Sequence, residues 1–228
     1  RPRKGQFIVY DKAASHLLSS IILPVPSETT KGIVVCRTIF GNVLVGPTAD
    51  EQQSREDTSV DKETLEALQQ KGREIIPALA DQPITATYAG IRPATQYKDY
   101  CIKYYRETRY ISVGGIRSTG LTSALGIAKR VFGEYQQAGH KCEPRPEVGM
   151  PELSPIAETE TRDWQLEGND GIVCHCELVT RREIKQALGG EMPATSLSGL
   201  KRRTRVTMGR CQGFYCSEQL SELTRGHF

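Results

Sequence analysis

No apolar run in these 228 residues approaches the ~20 that a membrane-crossing helix needs, so the sequence does not read as transmembrane. Charge of one sign is scarce as well. The 30 Lys and Arg against 27 Asp and Glu leave a net charge of +3, too small to imply nucleic acid or another polyanion as partner. No G-x-G-x-x-G occurs, so a complete dinucleotide-binding half is missing. No secretory signal is visible, because the opening RPRKGQFIVYDK turns polar after one short strand-like run. Internal repeats and long low-complexity tracts are absent too. Seven cysteines are present, and four of them cluster at metal-ligand spacing, which fits a reducing cytoplasm better than a secreted disulfide framework.

Those four, Cys174-x-Cys176 and Cys211-x4-Cys216, are the most informative residues. Thiolates bind soft metals, and four complete the ligand set of a [2Fe–2S] cluster or a structural zinc. A pair with one residue between is unusual for structural zinc, whose spacing is typically two to four residues, so the pattern favours a cluster that carries single electrons. His175 lies between two of them, as a coordinating group or a solvent-facing spacer. Cys36, Cys101 and Cys142 have no matching partners and read as ordinary thiols.

Along the chain, Gln6 to Tyr10, Leu17 to Leu23, Gly32 to Ile39 and Asn42 to Val45 read as strands of an antiparallel sheet. A helix is expected from Asp61 to about Leu79, with Pro77 able to end it early. Strands follow at Ile84 to Ala89 and Tyr110 to Val113, then a glycine-rich turn and a helix striped by Leu121, Leu125, Ala128, Val131, Phe132 and Tyr135. Residues 140–169, rich in Pro and Glu, read as a linker crossing the surface, with Trp164 as an anchor or as simple packing. Thr180 and Glu183 have capping-box spacing for a helix to about Leu188; a short helix at Ser196 to Arg203 and another from Tyr215 complete a small helical module.

The turn Gly114-Gly115-Ile116-Arg117-Ser118-Thr119-Gly120 puts bare backbone and a positive helix end beside whatever binds there, or is a plain strand-to-helix connection. Arg92, after the strand in Ala89-Gly90-Ile91-Arg92-Pro93, has the fork geometry for a carboxylate or phosphate, or is a surface arginine. The basic run Lys201 to Arg205 lacks aromatic interleaving and reads as a solvated or cluster-facing helix.

VCHCELVTRREI and KRRTRVTMGRCQGFYC closely resemble the bacterioferritin-associated-ferredoxin-like [2Fe–2S] domain, a resemblance that makes Cys174, Cys176, Cys211 and Cys216 the cluster ligands. PRKGQFIVYDK, GNVLVGPTADEQ, YAGIRPAT and GGIRSTGLTSALGIA resemble the C-terminal half of FAD-dependent oxidoreductases of the D-amino-acid-oxidase superfamily, especially the anaerobic glycerol-3-phosphate and L-2-hydroxyglutarate dehydrogenase group. The resemblance implies that Arg92 binds the substrate anion, with Arg117 also touching it. It implies that Gly115, Ile116, Arg117, Ser118, Gly120, Leu121 and Thr122 bind FAD, hydride passing from substrate to flavin and electrons on through the cluster. The family's N-terminal FAD-binding segment would precede Arg1, so the chain reads as a fragment whose FAD needs that half.

The expected architecture is α+β. An antiparallel substrate domain with the last strand and helix of a FAD-binding domain spans 1–139, the linker 140–169 and the small helical [2Fe–2S] domain 170–228. The expected function is dehydrogenation of a small anionic alcohol, glycerol 3-phosphate first, with a 2-hydroxy acid or an amino or imino acid as alternatives. A non-catalytic electron-transfer or zinc-binding module is the alternative from another class. The partners implied are the N-terminal half and an electron-acceptor subunit or quinone-linked acceptor. The location implied is the cytoplasm, including the inner face of the membrane. No general base stands out; His16 is a weak candidate in an expected strand.

Overall fold

The computed structural model describes residues 2–25, 32–97, 99–151 and 156–228. Strand β1 (Arg3–Tyr10) is the centre of an antiparallel sheet. Strand β2 (Val34–Arg37) pairs with β3 (Val43–Gly46), and β3 with the second half of β1, Ile8 opposite Val45. The short β4 (Asp50–Glu51) continues that edge against Arg3 and Lys4. Helix α1 (Lys62–Ile75) follows, and the long β5 (Ile84–Arg92) closes the other side of β1.

Alternation along β1 sends Gln6, Ile8 and Tyr10 to the buried face, where Ile8 and Tyr10 join Val35, Val43, Val45, Leu68 and Leu79 in one apolar cluster. Asp61 caps α1 by accepting the Thr64 N–H at 2.8 Å, and the Gln6 amide donates to its carboxylate at 2.6 Å. The helix stops at Ile75, two residues before Pro77, in keeping with the early end the proline allows.

Two expectations need correction in this half. Leu17 to Leu23 is not a strand: the Asp11 carboxylate accepts the Ala13 N–H and winds Lys12–Leu17 into a 3-10 turn, leaving one bridge, Ile22 to Val35. A further strand that the sequence pattern does not announce, β6 (Cys101–Tyr105), forms a hairpin with β7 (Tyr110–Gly114). Helix α2 (Gly120–Gln137) follows and has no buried residue; Leu121 and Leu125 are 94% and 87% exposed.

The C-terminal module has its own core. Strands β8 (Ile172–Cys174) and β9 (Val179–Thr180) form a small hairpin, followed by α3 (Arg181–Gly189), α4 (Leu197–Thr204) and α5 (Ser217–Thr224). Val173, Val179, Ile184, Leu188, Leu200, Val206 and Leu220 pack together. The capping box is present in both directions, with the Thr180 hydroxyl accepting the Glu183 N–H and the Glu183 carboxylate accepting the Thr180 N–H at 2.8 Å.

The expected linker divides in two. Residues 140–151 carry no regular structure and are largely exposed. The later part is strapped down, because its charges have partners. Arg162, 2% exposed, lies 3.5 Å from the buried Glu183, Asp163 pairs with Arg182 at 2.7 Å, and Glu158 binds Lys12 and the Ile39 carbonyl. Trp164 is 37% exposed.

The module docks on one end of the sheet. Arg210 pairs with Asp11 at 2.9 Å, the Gln212 amide donates to the Thr85 carbonyl at 2.9 Å, and Lys12 reaches Glu177 at 3.3 Å. At the centre is Arg205, 7% exposed, which donates to Glu177 at 2.7 Å and to Asn42 at 3.1 Å and stacks over the Phe40 ring.

Candidate functional site

The chemistry-bearing residues fall at opposite ends of the sheet. At the Tyr10 end, Cys174 closes β8, Cys176 sits in the turn before β9, and Cys211 and Cys216 bracket the turn leading into α5. They approach as two pairs: the Cys174 side chain is within hydrogen-bonding reach of Cys216, and Cys176 of Cys211. Among the described residues, no three His, Cys, Asp or Glu side chains converge on a single ion. Four thiols brought together as two neighbouring pairs are a donor set that would suit a [2Fe–2S] cluster rather than a single ion.

The backbone is shaped around these sulfurs. The N–H of Tyr215 above all, with those of Gly213 and Phe214, holds the Cys211 thiol below its ordinary value. Burial, then the nearby Cys174, pushes Cys216 up to about 11, although the Thr207 N–H opposes the shift. Burial likewise raises Cys176. To aim these groups the loop adopts left-handed backbone at Arg205, Thr207, Gln212 and Gly213. Thr207 at φ +68° is the costly one, being β-branched. A Cβ on Gly209 would lie 2.2 Å from that of Cys176, so the loop closes over the first pair only because residue 209 has no side chain. His175 is exposed.

At the other end, Arg92 stands opposite Arg3 in the β1–β5 register. Its guanidinium donates to the Thr48 carbonyl at 2.5 Å and occupies space left by Gly5, where a Cβ would come within 2.6 Å. Burial and then the Arg3 charge lower its pKa, Asp50 opposing, yet an arginine stays cationic at neutral pH. The loop after Arg92 runs to the glycine turn. A side chain on Gly115 (φ +70°) would press on the Asp99 carbonyl and the Thr95 hydroxyl, so this turn packs against that loop through bare backbone.

Arg117, itself left-handed at φ +58°, donates to the Tyr97 carbonyl. The Tyr100 hydroxyl binds those of Thr119 and Ser123, at 2.9 Å for the latter, which lowers its pKa. No side chain caps the first turn of α2, so the N–H groups of Gly120, Leu121 and Thr122 lie open to an anionic or electron-rich ligand. Beside them, Ile111, Ile116, Ala124, Ala128 and Phe132 line an open apolar groove of about 590 Å³. Apolar walls beside a bare helix start fit the ring system of a flavin.

The remaining expectations separate cleanly. His16 lies in the 3-10 turn, with Nδ1 2.8 Å from the Ala13 carbonyl, rather than in a strand. Cys101 and Cys142 are exposed and Cys36 half-buried, and burial raises the Cys36 thiol. The basic run splits. Arg202 binds Ser198 and Arg203 the Met192 carbonyl on the surface, while Arg205 turns inward.

Comparison with known proteins accords with this arrangement. The FAD dependent oxidoreductase family matches residues 1–132. The chain belongs to that family. The BFD-like [2Fe-2S] binding domain matches residues 172–225, which contain all four paired cysteines. The two matches indicate FAD and a [2Fe–2S] cluster as the cofactors of an oxidoreductase. Glycerol 3-phosphate dehydrogenase of Caloramator mitchellensis is 30% identical over 230 residues, covering 97% of this chain and 48% of the relative. One subunit of the anaerobic glycerol-3-phosphate dehydrogenase of Escherichia coli K12 is 23% identical, covering 95% of this chain and 46% of that protein. The chain thus spans about half the length of these relatives. Among solved structures, FAD-bound L-alpha-glycerophosphate oxidase of Mycoplasma pneumoniae aligns with a TM-score of 0.55 at 27% identity, over 64% of this chain and 38% of that one. No described helix is long and apolar enough to cross a membrane.

Proposed function

We propose that this chain serves a flavin- and iron–sulfur-dependent dehydrogenase that oxidises a small anionic alcohol, glycerol 3-phosphate first. The observation that carries the reading is Arg92: a half-buried cation beside Arg3, at the sheet end whose following loop packs against the Gly115 turn. Arg3 is held by Glu51 at 3.1 Å, so Arg92 is the cation offered to a phosphate, and the Thr48 carbonyl fixes one of its arms so that its remaining N–H groups can fork onto two oxygens. Arg117, tied to Tyr97, borders the same loop and orients substrate from the other side. Gly115, Ile116, Ser118, Gly120, Leu121 and Thr122 meet the flavin along the turn and the open helix start.

When bound, FAD accepts the hydride and the [2Fe–2S] cluster carries single electrons. Cys174, Cys176, Cys211 and Cys216 hold the cluster, and the N–H groups of Thr207, Gly213, Phe214 and Tyr215 stabilise the charge on its thiolates. The acceptor is a partner subunit or quinone-linked carrier, and the enzyme works in the cytoplasm or at the inner face of the membrane. The names of the glycerol-3-phosphate dehydrogenase relatives support this choice of substrate.

The test is anaerobic bleaching of the flavin in the whole FAD-loaded dehydrogenase by glycerol 3-phosphate, glycerol, a 2-hydroxy acid or proline. Glycerol 3-phosphate should bleach it fastest, and Arg92→Ala should weaken its binding about 100-fold, the scale of one lost charge-assisted contact. Faster bleaching by an uncharged alcohol or by a carboxylate substrate, with no effect of Arg92→Ala, would reject the reading.

A further inference from the structure

Strands β1 and β5 share a second face, opposite the buried one. Residues directly opposite in an antiparallel pair point the same way, so Gly5 and Phe7 stand on the same face as Gly90, Tyr88 and Arg92. The two glycines of this face are not equivalent. Over Gly5 the space is filled: an added Cβ would lie 2.6 Å from Nη2 of Arg92, 3.0 Å from Pro47 and 3.2 Å from the Thr48 carbonyl. Gly5 is bare so that the guanidinium can lie across it. Over Gly90, its partner across the ladder, an added Cβ would meet nothing within 4 Å. Gly90 lies inside β5 and is not among the left-handed glycines, so the backbone does not require it. A glycine in a strand interior weakens the strand and marks a close approach by a ligand or another backbone, and among the described residues no backbone approaches here.

The next position on this face is Tyr88. Its ring stacks on Phe7 at 4.8 Å between centroids and 11° between planes. Gly46 backs the pair, since a Cβ there would come within 2.7 Å of the Phe7 ring. Tyr88 is 45% exposed, and its hydroxyl makes no hydrogen bond among the described residues. Burial and then Cys36 raise its pKa, so the phenol is a neutral donor at pH 7. From Arg92 to Tyr88, four steps along the strand span about 13 Å. A phosphate contact at one end and a ring at the other shorten this to the length of a small carbon chain. The two carboxylates at the Arg92 end are engaged, Glu51 by Arg3 and Asp50 by the Thr48 hydroxyl at 2.6 Å.

We propose that the substrate's carbon chain lies over Gly90 and that Tyr88 sets the length of that chain, its hydroxyl donating to the alcohol end, so that the site selects three-carbon phosphates over longer ones. The proposal rests on the reading of Arg92 as the partner of the substrate anion. Arg92 takes the phosphate, bare strand backbone lets the chain come into contact, and the Phe7–Tyr88 stack closes the far end. Gly90 and Tyr88 are then the residues that decide specificity.

The test is equilibrium dialysis of glycerol 3-phosphate, sorbitol 6-phosphate and inorganic phosphate against the whole FAD-loaded dehydrogenase, photoreduced anaerobically so that it accepts no hydride. Gly90→Val should weaken glycerol 3-phosphate about 30-fold and inorganic phosphate no more than about twofold, with the urea midpoint not lowered. Tyr88→Phe, which keeps the ring stack, should weaken glycerol 3-phosphate about fivefold and leave inorganic phosphate unchanged. Tyr88→Ala should tighten sorbitol 6-phosphate about tenfold relative to the parent. Unchanged binding of glycerol 3-phosphate in both Gly90→Val and Tyr88→Phe overturns the proposal. So does equal weakening of inorganic phosphate, or a parent that binds sorbitol 6-phosphate as tightly as glycerol 3-phosphate. If Arg92→Ala weakens both glycerol 3-phosphate and inorganic phosphate while the Gly90 and Tyr88 variants change nothing, the proposal fails alone. If Arg92→Ala changes nothing either, the anion reading fails with it.

Discussion

The C-terminal module and helix α2 answer the same physical demand in opposite ways. In the module, three short helices and a small hairpin cover one another, and residues such as Ile184 and Leu200 are fully buried. Helix α2 is the longest helix of the described residues, yet its apolar stripe faces an open groove and solvent. Periodicity alone does not distinguish them, because both carry the helical pattern. The difference lies in what packs against each stripe: other elements of the module cover the apolar faces of α3 to α5, while among the described residues α2 is left largely open. The cysteine pairs sit on a core built from the module's own residues, whereas α2, which we propose faces the flavin, leaves its apolar stripe exposed among the described residues.

The sharpest way to break that comparison is to disturb the cysteine shell without touching a cysteine. Gly209→Ala puts a methyl group where the Cys176 Cβ already lies, so iron content should fall from roughly two per chain to near zero, measured on anaerobically purified protein. A variant that keeps its iron would show that the loop yields. Next in size is the docking of the two halves. Arg205→Ala leaves the buried Glu177 carboxylate without its closest cation and should cost about 3–5 kcal/mol in urea unfolding.

Third, paired truncations compare the two cores directly. Leu200→Ala in the module should cost about 2–5 kcal/mol, whereas Leu125→Ala on α2 should stay within about 0.5 kcal/mol. Equal costs would mean that α2 is covered after all. The smallest effect is acid sensitivity in the sheet half. The Thr64 hydroxyl and N–H with the Gln6 amide hold Asp61 at about 2, below its ordinary 3.8. A depressed carboxylate stabilises fully above its unfolded value and loses that contribution as pH falls through the folded one. The helix cap should therefore weaken between about pH 4 and 2, and Asp61→Asn should flatten this part of the acid-unfolding curve.

Much of this was legible in the residues. The cysteine spacing, the Thr180–Glu183 box, the central strand and the proline-limited helix are local signals, and local physics decides them. What escaped depends on distant partners. Arg205 looked like one more solvated cation in a basic run, and its burial is set by Glu177, Asn42 and Phe40, the second of which is 163 residues away. Strand β6 has no fully buried residue, its positions alternating only between exposed and half-buried, so no strong apolar face marks it in the sequence. The Leu17 to Leu23 stretch had strand composition, but Asp11 turned the chain before it could pair. Arg162 and Asp163 sat in a Pro- and Glu-rich segment that reads as linker, and only the fold reveals Glu183 and Arg182 as their partners. Gly209, two residues before Cys211, was the one local cue to the closed loop.

We propose that Cys174, Cys176, Cys211 and Cys216 hold the [2Fe–2S] cluster of the BFD-like domain. Visible absorption and metal analysis of anaerobically purified protein test it most directly. Broad bands between about 400 and 600 nm that bleach with dithionite, with roughly two irons per chain, are the expected result. A colourless protein carrying one zinc per chain would contradict it.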